Sequence, residues 1–284
     1  MKRMMYYRGL IICLLVMVSC NKEEIVLQEE NVLELHVTAE NYVSANESTR
    51  TTDEGYTTSF TEGDEIGVFT VNATTGEVKS RNIPYKYVAS TATDGWWMPS
   101  GKNKAIAESG TFYLVYYPYK SRMDWVLNVE KDYAVWENEI YSIFVNDYMY
   151  NPGQNTPELY SSKDLMIGKG SAFTGQDGKA HLSVNLKHQF SLLLVDMKYK
   201  QQGQLVSVQP AIYDLINYGG QSFSPWMSEE GVYRMLVRPS ESGNFLISYR
   251  YSWHPDIEFK HEIMGKIEAG KYLRYNLTFS VPSD

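Results

Sequence analysis

Cysteine is nearly missing from this chain: Cys13 and Cys20 are the only two in 284 residues, and both lie in or at the end of a leading apolar segment. The rest of the chain therefore has no internal disulfide and no cysteine metal cluster, and core packing must stabilise it. Basic charge is also short, with 26 Lys and Arg against 34 Asp and Glu and a net charge of −8. That balance excludes a binder of nucleic-acid phosphates. No segment after residue 24 carries an i, i+3, i+4 apolar stripe over three turns, so strands rather than helices are expected. Motifs of chemistry are missing too. There is no Gly-x-Ser-x-Gly elbow, and Gly168-Lys169-Gly170-Ser171 lacks the spaced upstream glycine of a phosphate loop and reads as an ordinary loop. The histidines at 181 and 188, and at 254 and 261, are seven apart, which puts the members of a pair on opposite faces of a strand, so no metal site is expected. Glu137 and Glu139 lie two apart and read as a solvated strand face rather than a glycosidase pair. No enzyme and no cofactor are expected.

What is present begins with an address. Lys2, Arg3 and Arg8 precede the apolar run from Gly9 to Val18, and a run of about ten residues is too short to span a bilayer but suits a secretory signal. The run ends in Met17-Val18-Ser19-Cys20, which resembles the lipobox of bacterial lipoproteins with Met17 in place of the usual Leu or Val. Residues 1 to 20 are thus read as a lipoprotein signal peptide and Cys20 as the lipidated residue. Two acyl chains there would give stable attachment, at about 0.8 kcal/mol per buried methylene. Removal of the signal leaves an acidic chain of charge −11, because residues 1 to 20 hold three bases and no acid. The following Asn21-Lys22-Glu23-Glu24 is similar to the export signal that carries Bacteroides lipoproteins to the outer face of the cell. The expected location is the outer membrane, lipid-anchored and surface-exposed.

The body of the chain reads as β structure. Tyr 23, Phe 10 and Trp 6 within a 43% hydrophobic composition exclude disorder and favour pleated sheets. Leu33, Leu35, Val37 and Ala39 alternate with Glu34, His36 and Thr38, which predicts a first strand over about 32 to 43, followed by an exposed polar linker over 44 to 55. Further strands are expected at Ile66 to Val71, Tyr85 to Ala89, Thr111 to Tyr117, Trp125 to Val129 and Tyr133 to Trp136. Residues 146 to 180 are rich in Asn, Gly, Pro, Ser and Asp. They lead into the longest alternation, in which Leu182, Val184, Leu186, Phe190, Leu192 and Leu194 share one face. A domain boundary is placed there, giving an all-β chain of two tandem β-sandwich domains, 21 to 179 and 180 to 284.

Several segments together resemble the fimbrillin family of pilins and pilin-like surface lipoproteins. These are Thr49-Arg50-Thr51, the run Phe60 to Phe69, Phe112 to Tyr119, Asp164-Leu165-Met166, Val184 to Leu192 and Ala269 to Phe279. The resemblance implies transthyretin-like, Greek-key sandwiches and subunits that join by donor-strand exchange, with other pilin subunits or with copies of the chain. A protease would cut the linker, with Arg50 as the processing site, and Leu33, Leu35, Val37 and Ala39 would form the removable plug strand. Main stalk members carry a further C-terminal donor segment, whereas only Ser280 to Asp284 follow the last strand here. The expected role is therefore a tip, accessory or anchor subunit, or an adhesin for a host or bacterial surface protein or glycan. A different class of function rests on aromatics: Trp96 and Trp97 follow the turn at Asp94-Gly95, and exposed indoles there would stack on sugar rings in a glycan-binding lipoprotein.

Overall fold

The computed structural model describes residues 31–45, 56–91, 95–125, 133–150, 153–201, 204–207, 212–217, 221–228, 231–251 and 254–280. Cys20, Arg50 and all of the strand expected over Trp125 to Val129 except Trp125, which ends a 3-10 turn, lie outside the described residues.

The first strands in order are β1 (Glu34–Ala39), β2 (Val43–Ser44), β3 (Glu65–Asn72), β4 (Val78–Ala89), β5 (Gly95–Pro99) and β6 (Thr111–Tyr117). After a helical stretch come β7 (Met166–Gly170), β8 (Ala172–Thr174) and β9 (Ala180–His188). All but β2 form one sheet in the order β1-β5-β4-β3-β6-β7-β9-β8, and β1 also pairs with β9. The sandwich expected for this half therefore takes the form of a single sheet rolled until β1 meets strands on both sides. Its interior is filled by Leu33, Leu35, Ile66, Val68, Tyr85, Trp97, Tyr113, Val115, Leu182 and Leu186, among others. The central strands β3 and β6 are buried on both faces, which explains their unbroken apolar runs, while β9 alternates strictly between buried and open positions. Gly168 and Gly170 lie in β7, where a Cβ at either position would meet Val184 at 2.6 and 2.7 Å. These glycines let β7 approach β9, so the Gly-Lys-Gly run is strand rather than loop.

The outer face of β3 and β6 is covered by α1 (Tyr133–Tyr150), where a strand over Tyr133 to Trp136 was expected. Trp136, Ile140, Phe144 and Tyr148 recur at every fourth residue and are all buried against Phe69, Leu114, Tyr116 and Phe190. The stripe is one side chain wide, with half-buried Tyr141, Ile143 and Val145 beside it, so a search for paired i+3 and i+4 positions misses it. Glu137 and Glu139 are helical residues as well, and their spacing does not place them on one strand face.

The boundary expected near residue 180 also moves. β9 belongs to the first sheet, and the chain passes into the second half at Gln189-Phe190, just before β10 (Ser191–Gln201). There the alternation gives way to residues buried on both faces, Leu192 to Val195. The second half continues with β11 (Gln204–Ser207), β12 (Ile212–Asn217), β13 (Gln221–Phe223), β14 (Trp226–Met227), β15 (Val232–Val237), β16 (Ser240–Tyr251), β17 (His254–Ile267) and β18 (Lys271–Ser280). One of its sheets runs β14-β15-β10-β18-β2 with β11 beside β10, and the other runs β13-β12-β16-β17. Ile247 of β16 and Ile267 of β17 share a buried cluster with Leu193, Leu236 and Tyr272 of the first of these sheets, so the two sheets enclose a common core.

Candidate functional site

The N-terminal segment 31–45 joins both halves, and its strand β1 is the seam of the first sheet. β1 lies parallel to β9 in an unbroken register from Glu34 opposite His181 to Ala39 opposite Leu186. Against β5 it makes a single pairing, Leu35 opposite Trp97. A cleft of about 1040 Å³ opens along that side, lined by Leu33 to Ala39, Ser59, Phe60 and Trp96 to Pro99. Parallel pairing is somewhat weaker per residue than antiparallel, and a strand paired along one side only leaves backbone groups unused along the other.

The inner face of β1 is apolar. Leu33, Leu35 and Val37 are 3%, 4% and 8% exposed and enter the barrel core. Ala39 is half-buried and packs on the same core. The outer face is a polar ladder against β9. Lys179 pairs with Glu34, Thr38 donates to Asn185 Oδ1 at 3.1 Å, and Asn185 Nδ2 donates to Glu40 at 3.0 Å. Between these rungs His36 Nε2 meets His181 Nδ1 at 3.0 Å. The spacing argument compared His181 with His188, which do face opposite ways, but a contact between strands 145 residues apart is invisible to it.

Beyond β1 the segment crosses from one half to the other. The amide of Glu40 donates to Leu186 O at 2.8 Å, and the Tyr42 hydroxyl donates to Asp164 Oδ1 at 2.8 Å. The Tyr42 ring stacks on His188 with centroids 3.8 Å apart. His188 itself bridges Asp164 at 2.8 Å and the Glu40 carbonyl at 2.9 Å. Burial first, and then the charge of Asp164, push the Tyr42 hydroxyl well above its ordinary pKa, so it remains a proton donor. β2 then adds to the edge of β18, with Val43 opposite Lys271 and Ser44 opposite Tyr272. The chain returns after residues 46–55 at Tyr56, which bridges back to Tyr42. The linker thus begins and ends at one closed base, and Thr58 N donates to Asn41 Oδ1 at 3.1 Å across it.

The tryptophans divide. Trp97 is 6% exposed and packs against Phe60 and Tyr87, with ring centroids at 5.0 and 5.2 Å, so it is a core residue. Trp96, the preceding residue of the same strand, points outward and is 49% exposed. One outward indole remains of the expected pair, and it lines the cleft beside β1. Among the described residues, no helix is long and apolar enough to cross a membrane. Sequence reasoning marked the apolar positions of β1 but missed Tyr42, Asp164 and His188. Their only signal is a lone aromatic following the strand and an acid and a histidine in two distant segments.

A family model described as fimbrillin-like matches residues 49–221, more than half of the chain. A Bacteroides ovatus protein described as a fimbrium tip subunit, Fim1C, is 26% identical over 275 residues, which is 90% of this chain and 48% of that protein. The crystal structure of a fimbrial protein from Bacteroides ovatus superposes with a TM-score of 0.61 at 22% identity, covering 89% of this chain and 50% of the other. A cell adhesion protein from Bacteroides ovatus gives a TM-score of 0.55 at 15% identity, covering 89% of this chain and 94% of its own. One from Bacteroides uniformis gives 0.53 at 15% identity, covering 88% and 92%. The chain spans about half the length of the curated relative and of the first of these structures.

Proposed function

This chain belongs to the fimbrillin-like family, and from that premise we propose that it is a non-enzymatic fimbrial subunit that assembles by exchange of β1 for a strand of another subunit. The observation that carries the reading is the asymmetry of β1, paired in full register with β9 but at one position only with β5. Removal of segment 31–45 would uncover a groove between β5 and β9 and, through loss of β2, the free edge of β18. An incoming strand recovers the backbone hydrogen bonds and refills the pockets of Leu33, Leu35, Val37 and Ala39.

In this reading Arg50 is the processing site, in the linker whose ends meet at Tyr42 and Tyr56. Cys20 carries the lipid that holds the chain at the outer membrane on the cell surface. The tandem organisation belongs to the same reading, with a first β unit that bears the groove and a second of transthyretin-like, Greek-key layout. A tip, accessory or anchor position is favoured by the likeness to a fimbrium tip subunit. The partners are other pilin subunits, and the adhesive target is a surface protein or glycan of a host or a neighbouring bacterium.

Limited trypsin digestion of the full chain, read by intact mass and N-terminal sequencing with and without a donor-strand peptide, tests the proposal. A cut after Arg50, followed by displacement of the N-terminal segment by the peptide and binding of the peptide in its place, is the expected result. A linker that resists cutting, or a cut chain that unfolds instead of taking up peptide, would overturn it.

A further inference from the structure

The outer face of the β1–β9 seam holds a group of side chains that the strand-exchange reading does not use. His36 and Glu34 come from β1, His181 from β9, and Asp177 from the turn that precedes it. The His36 and His181 ring centroids are 5.2 Å apart while Nε2 and Nδ1 are 3.0 Å apart, so the rings meet nitrogen to nitrogen rather than face to face. The other nitrogen of His181, Nε2, lies 2.9 Å from Asp177 Oδ1. A carboxylate only accepts, so this contact places the His181 proton on Nε2 and turns the Nδ1 lone pair towards β1. Glu34 Oε2 is 3.9 Å from that Nδ1, and its other oxygen is held by Lys179. Phe173 lies against His181 with centroids 5.6 Å apart and leaves the imidazole 12% exposed. The ligand atoms of Glu34, Asp177 and His181 all fall within 4.8 Å of one another.

We propose that His36 Nε2, His181 Nδ1 and Glu34 Oε2 form a divalent transition-metal site, best suited to Zn²⁺, that ties β1 to β9, with Asp177 orienting His181 from behind. Two imidazoles and one carboxylate suit zinc rather than calcium or magnesium, which prefer all-oxygen sets. Zinc–nitrogen and zinc–oxygen bonds of about 2.0 to 2.2 Å in a tetrahedron separate the donors by roughly 3.3 to 3.5 Å. The separations of 3.0 and 3.9 Å bracket that range, and a turn of the exposed Glu34 side chain towards His36 would complete the set. A fourth position stays open to water. The carboxylate behind His181 is the usual outer-shell partner that fixes a ligating ring and raises its basicity.

Two of the three ligands lie on β1 and one on β9, so the ion binds only while the seam is closed. An ion that binds one state alone favours that state by a factor of one plus the ratio of free ion to Kd, about 100-fold at 100 times Kd. Metal binding stands independently of the fimbrial reading, and only its consequence for strand release rests on it.

Isothermal titration of ZnCl2 into the untagged full chain in detergent, after chelator treatment, should find one ion per chain with a micromolar or tighter Kd and no uptake of Mg²⁺. His36→Ala and His181→Gln should abolish binding, while Asp177→Asn should weaken it about 10- to 100-fold. His261→Ala, an exposed histidine on β17, should leave binding unchanged. Melting curves in chelator check that each variant folds. Failure of the native chain to bind zinc, or binding by His36→Ala or His181→Gln with native affinity, overturns the site and leaves strand exchange untouched. In a chain cut in the linker, saturating zinc should slow release of the N-terminal segment about 100-fold and a chelator should restore it. Binding with no effect on release overturns the locking role.

Discussion

Replacement of Leu35 by Ala tests whether β1 opens on its own. Leu35 is 4% exposed, opposite Trp97 of β5 and Leu182 of β9. The change removes three carbons, worth about 2.4 kcal/mol at about 0.8 kcal/mol each, and deeply enclosed Leu→Ala changes cost about 2.7 to 5 kcal/mol. The hollow left here would adjoin the cleft beside β5, where side chains and solvent can relax into it, so a loss near 2.5 to 3 kcal/mol is expected. That corresponds to roughly a 100-fold rise in the open population, since each 1.4 kcal/mol is about tenfold. Hydrogen exchange on the full chain reads this directly. The amides of Leu33 and Glu40, which donate to Ala105 and Leu186, should exchange about 100-fold faster in the variant. The amides of β6, whose side chains are all buried, should keep their protection, because they open only with the whole barrel. Equal acceleration in β1 and β6 would show that the seam has no separate opening, and the argument for an exchangeable strand would fail.

Tyr42→Phe removes the donor to Asp164, itself 6% exposed, and should lower stability to urea by about 1.5 to 3 kcal/mol, as for a hydrogen bond to a charged group. Trp136→Ala empties a fully buried position under α1 and should cost about 3 to 5 kcal/mol, visible as a lowered Tm with loss of helical ellipticity. Lys163 is 7% exposed, and burial, then the nearby charge of Lys120, lowers its pKa to about 8 from an ordinary value near 10.5. Between those values the unfolded chain holds a proton that the folded chain has released, so the Lys163 contribution makes stability rise with pH above about 8, by at most about 1.4 kcal/mol per pH unit. Below pH 8 both states are protonated and the cost of burying the cation is fully present. In Lys163→Met, denaturant midpoints measured from pH 7.5 to 9.5 should lose that rise, and an unchanged rise would refute the assignment.

The parts of the fold legible in the sequence are those where one face is buried and the other is wet. β1 and β9 show this, because a period of two in the letters is a period of two in burial. The helix α1 was not legible, since its four buried residues are mostly aromatic and lie in a single file, and rings favour strands as much as helices. The closure of the sheet was not legible either, because the pairing of Glu34 to Ala39 with His181 to Leu186 joins residues about 147 positions apart. Nothing local in either strand names its partner. The same holds for His36 with His181 and for Tyr42 with Asp164 and His188, where distance along the chain hides contact in space. Trp97 shows the opposite error, a ring placed on the surface by its neighbouring turn although its strand parity carries it inward.

If the proposed exchange of β1 takes place, the segment from Leu33 to Ser44 sets terms for whatever replaces it. A substitute strand must place apolar side chains at three alternate positions, facing Trp97, Leu182 and Val184, to restore the core that Leu33, Leu35 and Val37 complete. It must run parallel to β9, because only that direction reproduces the register that the amide of Glu40 and the carbonyl of Leu186 close. Five residues beyond its last core position it needs a group able to reach Asp164, which Tyr42 now satisfies and which would otherwise lose that donor. A strand that meets the apolar pattern but ends before the two residues that pair with Lys271 and Tyr272 would seal the first sheet yet leave the edge of β18 uncovered. Selectivity among partners would then lie less in the groove, which accepts many alternating sequences, than in the polar junction between the two halves, where one hydroxyl has to arrive in register.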